Sequence, residues 1–358
     1  MTRVVKHFSI HAIDDTELRV IADVEAGVIS VIQVEEEVIR EYRRRIDWPH
    51  RWVTLFVMQD LHPLVQQLQQ TSSMLPGKAD VLANRPVVNV YDLADPARCQ
   101  IFMNWAVMCK EGYQEDRLAI RGLLAHEHAH PLAEGETTQA SREIEISLSM
   151  EHRHTLLCDA RDGSGEQMEC RQWKADRREA IFSIVSQLAH KLCLYASREL
   201  FANELTIRNG FSEALLHLNR RNMENARSSL RGREDLQRQF HLGVKQGELT
   251  PSMASQLLLL GDLYGYLDLT FEIAPFYRAG QVPAAQELEY MLTDEVFPHL
   301  EPEILEVYLS LRERYLTLRT ELTPNELLGW CESVLAILTD VFAPKGLTVH
   351  FHIQLAEN

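Results

Sequence analysis

Leu123-Leu124-Ala125-His126-Glu127-His128-Ala129-His130 joins an apolar helical run to the pattern H-E-x-x-H. Two histidines four apart share one helix face, as two ligands of a single Zn²⁺ must. Glu127 lies about 100° round from His126, beside a metal rather than on it, where a carboxylate can take a proton from a metal-acidified water. His128 points roughly the opposite way and is not expected to be a ligand. Ile120, Leu123 and Leu124 recur at helical spacing, and Asp116 or a neighbour can start the helix. Pro131 is expected to close it directly after His130.

Upstream of this helix the pattern predicts a small sheet. Trp52–Met58, Pro86–Tyr91 and Cys99–Met108 read as strands, and Lys110-Glu111-Gly112-Tyr113 turns the last of them into the helix. Val20, Val24, Val28, Val31 and Val34 predict an earlier helix from Glu17 to Arg45 with a solvated basic end at Arg43-Arg44-Arg45. Beyond Pro131, stretches rich in Leu, Ala, Glu, Gln and Arg predict helices at 137–157, 175–208, 211–229, 233–246, 251–273, 281–293, 301–321 and 324–342. Arg161-Asp162-Gly163-Ser164-Gly165 reads as an exposed loop. A terminal strand at Leu347–Ile353 would carry His350 and His352 on one exposed face. The expected fold is therefore α+β and mainly α-helical. An N-terminal α/β part, 1–132, holds the sheet and the motif helix, and a helical part spans 133–358.

The chain has 358 residues, 46% of them hydrophobic, enough for a large core. Its 36 basic and 52 acidic side chains give a net charge of −16, which argues against binding a nucleic-acid backbone or an anionic membrane surface. No apolar run reaches the length of a spanning helix, and Met1-Thr2-Arg3-Val4-Val5-Lys6-His7 lacks the core of a signal peptide, so a cytoplasmic protein is expected. The six cysteines, Cys99, Cys109, Cys158, Cys170, Cys193 and Cys331, contain no C-x-x-C pair. That spacing suits reduced thiols better than disulfides or a cysteine-ligated zinc, and no function is assigned to them.

A catalytic zinc site needs a third protein ligand and an open position for water. The extended pattern H-E-x-x-H-x-x-G-x-x-H is absent, because Pro131-Leu132-Ala133-Glu134-Gly135-Glu136 follows the motif. Ser197-Arg198-Glu199-Leu200-Phe201-Ala202-Asn203-Glu204 lies in a predicted helix well downstream, with Glu199 and Asn203 four apart on one face. Together with H-E-x-x-H, Glu199-x-x-Ala202-Asn203 resembles the gluzincin clan of zinc metallopeptidases, in particular its thermolysin-related, CAAX-endopeptidase-like and ImmA/IrrE-type members. The resemblance covers two short segments. It implies a zincin-like N-terminal sheet and active-site helix, Zn²⁺ held by His126, His130 and Glu199, and Asn203 orienting a ligand histidine through its second ring nitrogen.

It further implies hydrolysis of a peptide or protein substrate with Glu127 as general base. The substrate would lie along an edge strand around Phe102 to Met108, with Asn104 a possible contact. His190, His217, Tyr264 or Tyr266 would supply the oxyanion donor. Gly261-Asp262-Leu263-Tyr264-Gly265 faintly resembles the aspzincin segment that supplies an Asp ligand, and Glu204, Glu143 and His154 remain as further completions. Glu151-His152-Arg153-His154 reads as a solvated helix end. Two other classes stand beside this one: a zincin-fold sensor or regulator without general proteolysis, which the same ligands would serve, and a helical protein-interaction scaffold in which the motif is chance.

Overall fold

The computed structural model describes residues 5–71, 84–152 and 179–356. The predicted loop at 161–165, Cys158, Cys170 and His154 lie outside the described residues. Strands β1 (His7–Ile13) and β2 (Thr16–Ala22) form a hairpin that turns at Asp14, which has φ +53°. Helix α1 (Val28–Arg45) follows, then β3 (Trp52–Met58), α2 (His62–Thr71), β4 (Val87–Tyr91), β5 (Arg98–Asn104), α3 (Trp105–Lys110) and α4 (Arg117–Leu132), the motif helix. The sheet order is β1-β2-β3-β5-β4; β2, β3 and β5 run parallel, and β4 returns antiparallel at the edge.

Two sequence-based expectations fail in this region. Residues 17–22 are strand rather than helix, because Leu18, Val20 and Ala22 alternate with Glu17, Arg19 and Ile21 and fill the sheet's buried face. Gly27 at φ +76° then opens α1, and a Cβ there would fall 2.3 Å from the Trp105 ring. The run Trp105–Met108 is helix rather than a continuation of β5, since the Asn104 side chain accepts the Val107 N–H and caps α3.

The register aligns Leu18, Val53 and Cys99 in one row, Val20, Leu55 and Ile101 in the next, and Ala22, Val57 and Met103 in a third. All are buried. Asn89 lies opposite Ile101 in β4, so it shares that face.

Two compact units make up the chain, and the first takes residues 1–133 together with 202–219. The second unit begins at Glu134 with α5 (Glu136–Ala140), followed by β6 (Ile144–His152), where a helix over 137–157 is expected from sequence. Ile144, Ile146 and Leu148 alternate with polar residues and pair antiparallel with the terminal strand β7 (Leu347–Leu355). His350 and His352 are exposed on β7.

A long helical passage covers 179–246. Its parts are α6 (179–190), a wider turn at Lys191–Tyr195, α7 (Ala196–Thr206), a kink at Asn209 and Gly210, and α8 (Ser212–Gln246). Helices α9 (Pro251–Tyr266), α10 (Thr270–Arg278), α11 (Val282–Glu295), α12 (Glu303–Leu316) and α13 (Pro324–Phe342) complete the second unit. Thr323 and Glu326 cap α13 reciprocally. This helix is long and apolar enough to cross a membrane, yet it buries Leu327, Cys331, Val334, Leu335 and Leu338 within its unit.

Within the first unit, α4 packs directly on the start of α8. A Cβ on Gly122 would stand 2.8 Å from the Ala214 carbonyl oxygen, so only glycine permits this approach. Gly122→Ala is therefore expected to destabilise the protein by about 1–3 kcal/mol, as overpacking against unyielding backbone does. Urea unfolding of the two proteins checks this, and unchanged stability would mean that the helices are not in contact.

Candidate metal centre

Helix α4 starts on Asp116, whose carboxylate accepts the Ala119 N–H at 3.0 Å and also meets His217 Nε2 at 2.8 Å. Its buried residues include Ala119, Ile120, Leu123, Leu124, Ala125 and Ala129, so one side is embedded and the other carries His126 and His130. The Nε2 atoms of these two histidines are 3.1 Å apart. Two metal–nitrogen bonds at a tetrahedral angle would place them about 3.3 Å apart, so the pair has close to a chelating spacing.

Glu199, on α7, joins them: ligand atoms of His126, His130 and Glu199 all lie within 4.8 Å of one another. Helix α7 is continuous through Ala202, where the chain re-enters the first unit, and Thr206 at its end faces Tyr42. The Tyr42 hydroxyl donates to the Ala125 carbonyl at 2.8 Å and stands 3.4 Å from Thr206 Oγ1. A single buried side chain of α1 thus touches the helix of the two histidines and the helix of the glutamate. Asn203 is buried one turn beyond Glu199.

Glu127 is fixed from the edge strand. Its Oε2 accepts the Asn89 backbone N–H at 3.0 Å, and its own carbonyl accepts the Asn89 side-chain N–H at 2.6 Å. The second bond has a cause in the sequence. Pro131 has no N–H to give the carbonyl four residues back, so the Glu127 oxygen is available to Asn89. The expectation that Pro131 closes the helix directly is corrected accordingly: α4 runs on to Leu132, and the proline sits inside its last turn.

The substrate strand predicted at Phe102 to Met108 also needs correction. β5 is internal, between β3 and β4, and Asn104 is a buried helix cap. Among the described residues the edge next to α4 is β4.

The remaining candidates have partners of their own. Asp262 is buried against Arg233, which approaches both carboxylate oxygens at 3.0–3.1 Å, and its Oδ2 also accepts the Glu301 N–H. Glu204 pairs with Arg208. His190 meets the Ser186 carbonyl, Tyr264 donates to Gln187, and Tyr266 bonds Ser229. Nothing in the structure assigns any of them to oxyanion binding, and Glu143 belongs to no group of metal ligands among the described residues.

Sequence reasoning missed a second cluster, His50, Cys99 and His128, whose ligand atoms also lie within 4.8 Å of one another. All three are buried. His128 Nε2 meets Glu35 Oε1 at 2.8 Å, both side chains being fully buried. Burial alone lowers the His128 pKa, but the Glu35 charge and the bonds to Cys99 and Glu35 outweigh it and raise it to about 10. His50, by contrast, is lowered to about 4 by burial and by the neighbouring His128 charge. No short motif announces this cluster, since its members stand on a loop, a strand and a helix.

No family model, no curated protein and no solved structure matches the chain. Among the described residues the structure shows two groups able to take a metal ion, one of two histidines and a glutamate and one of two histidines and a cysteine. Removing the Asn89 side chain leaves the Glu127 carbonyl without its side-chain donor. Asn89→Ala is expected to cost about 1–3 kcal/mol of stability. Chemical denaturation measures this, and an unchanged midpoint would rule out the clamp.

Proposed function

We propose that the chain is a Zn²⁺-dependent hydrolase of peptide bonds, with His126, His130 and Glu199 as metal ligands. One observation carries the reading: two histidines on one helix and a glutamate from a distant helix converge, and the glutamate between those histidines is anchored to the edge strand. Two imidazoles and a carboxylate suit zinc, and three protein ligands leave a fourth position for water. A Zn²⁺ ion bound there would lower the pKa of a water towards neutrality and polarise a carbonyl.

The chain's own residues supply the rest. Glu127 takes the proton from the attacking water. The same carboxyl then gives the proton to the amide nitrogen as the C–N bond breaks, so the amine leaves neutral and Glu127 returns to its charged form. Its hydrogen bond from Asn89 holds the carboxylate in one orientation before substrate arrives. Strand β4 has a sheet partner on one side only among the described residues, which suits pairing with an extended peptide at the edge. Asn203, one helical turn from Glu199, is suited to orient a ligand histidine.

Glu127→Gln tests the chemistry separately from the metal. The variant is expected to keep its zinc and to lose roughly 10²–10⁴-fold in peptide cleavage, the usual worth of a positioned base. Cleavage of a peptide library followed by mass spectrometry reads the activity, and elemental analysis reads the zinc. Glu199→Ala should lose one zinc relative to wild type. Zinc-loaded wild type that cleaves no peptide, or a Glu127→Gln protein as active as wild type, would overturn the proposal.

A further inference from the structure

We propose that His50, Cys99 and His128 form a second metal site, buried inside the first unit behind α4, that binds a divalent thiophilic ion, with Zn²⁺ the best match. The donor atoms are already selected by their neighbours. His50 Nδ1 lies 2.6 Å from the Pro96 carbonyl oxygen and donates its proton there, which leaves Nε2 as the lone-pair nitrogen. That Nε2 is buried and has no hydrogen-bond partner. His128 uses Nε2 towards Glu35, which leaves Nδ1 facing Cys99 Sγ at 3.8 Å. Each imidazole therefore has one nitrogen on an oxygen acceptor and the other turned to the cluster, the arrangement that orients metal-bound histidines generally.

Polar atoms of this kind are costly to bury without partners. Glu35, which pairs with His128, and Trp48, which packs on both rings, also carry buried unbonded atoms, Oε2 and Nε1. A cation held by His50, Cys99 and His128 would give the His50 lone pair its partner, and the Glu35 carboxylate on His128 a compensating charge. Charge also chooses the ion. A divalent cation with a Cys99 thiolate and the Glu35 carboxylate sums to zero, whereas a monovalent ion would leave a net negative charge in a buried pocket. Trp48 packs on both rings, 4.7 Å from His50 and 5.2 Å from His128, so the site has an aromatic wall and resembles a closed structural site more than an open catalytic one.

This site is separate from the His126, His130 and Glu199 group, and the two stand on opposite faces of one helix. They are linked by bonds rather than by shared ligands. As a thiol, Cys99 donates to Asn89 Oδ1 at 3.6 Å with a proton that it gives up on binding the ion, and Asn89 holds Glu127.

Cobalt substitution tests the proposal, because a thiolate bound to Co²⁺ produces a near-ultraviolet charge-transfer band that a site of two histidines and a glutamate cannot produce. The full-length protein, stripped of metal and reloaded with Co²⁺, is expected to show the band. Cys99→Ser should abolish it, and His126→Gln with His130→Gln should leave it intact. Elemental analysis of zinc-loaded protein should give about two ions per wild-type chain and about one after either change. Should Cys99→Ser fail to fold, the wild-type band and its survival in the double histidine variant decide the question. No thiolate band in cobalt-loaded wild type overturns the proposal, as does a band that persists in folded Cys99→Ser or disappears with His126 and His130.

Discussion

The rotation of α4 about its own axis is the constraint on which the candidate centre depends, and a buried pair sets it. Glu35, fully buried on α1, holds His128 at 2.8 Å. With His128 turned to α1, helical geometry sends His126 and His130 to the far side. A rotation of one residue would bury one of them and expose His128. Deeply buried ion pairs contribute little net stability once desolvation is counted, while breaking one is expensive, so this pair serves registry better than it serves strength. Tyr42 supplements it, because its bond to the Ala125 carbonyl acts one residue before His126.

The edge strand is tied to the same helix through an absence. Pro131 withholds an N–H from the Glu127 carbonyl, and Asn89 fills the position with its side-chain amide. The backbone N–H of Asn89 is then aligned on the Glu127 carboxylate. A residue that would ordinarily weaken the end of a helix therefore helps to place the carboxylate at the centre of the H-E-x-x-H motif. Asn89 also accepts from Cys99, so the interior of the sheet and the far face of the helix meet at one side chain.

The local parts of this arrangement are legible in the sequence and the non-local parts are not. The motif helix, its Asp116 start, and the strand Trp52–Met58 follow from periodicity and capping. Glu199 is legible as a ligand candidate because it keeps helical company with Asn203 and because its segment resembles a known pattern. The strands at 16–22 and 144–152 were obscured by composition: valines recur through Val20, Val24 and Val28 across the strand–helix junction, and Ile144–His152 mixes Glu, Ser and Met as a surface helix does. Their period of two is clear only once partners are known, for Ile144–His152 is paired by residues two hundred positions later. Asn89, His50 and Cys99 carry no motif. Their roles come from sheet register and from burial against α4, which no spacing in the chain encodes.

The first unit is not contiguous. Residues 202–219 return to it after the chain has passed through part of the second, and Phe211, buried at their centre, lies 4.7 Å from Tyr42. On a ribosome, then, the amino-terminal 133 residues emerge with a gap in their core and stay incomplete until α7 and the start of α8 have been made. Closing a loop of that length carries an entropic cost that only the finished packing repays. Completion of the first unit's hydrophobic core therefore waits for chain that is made only after part of the second unit.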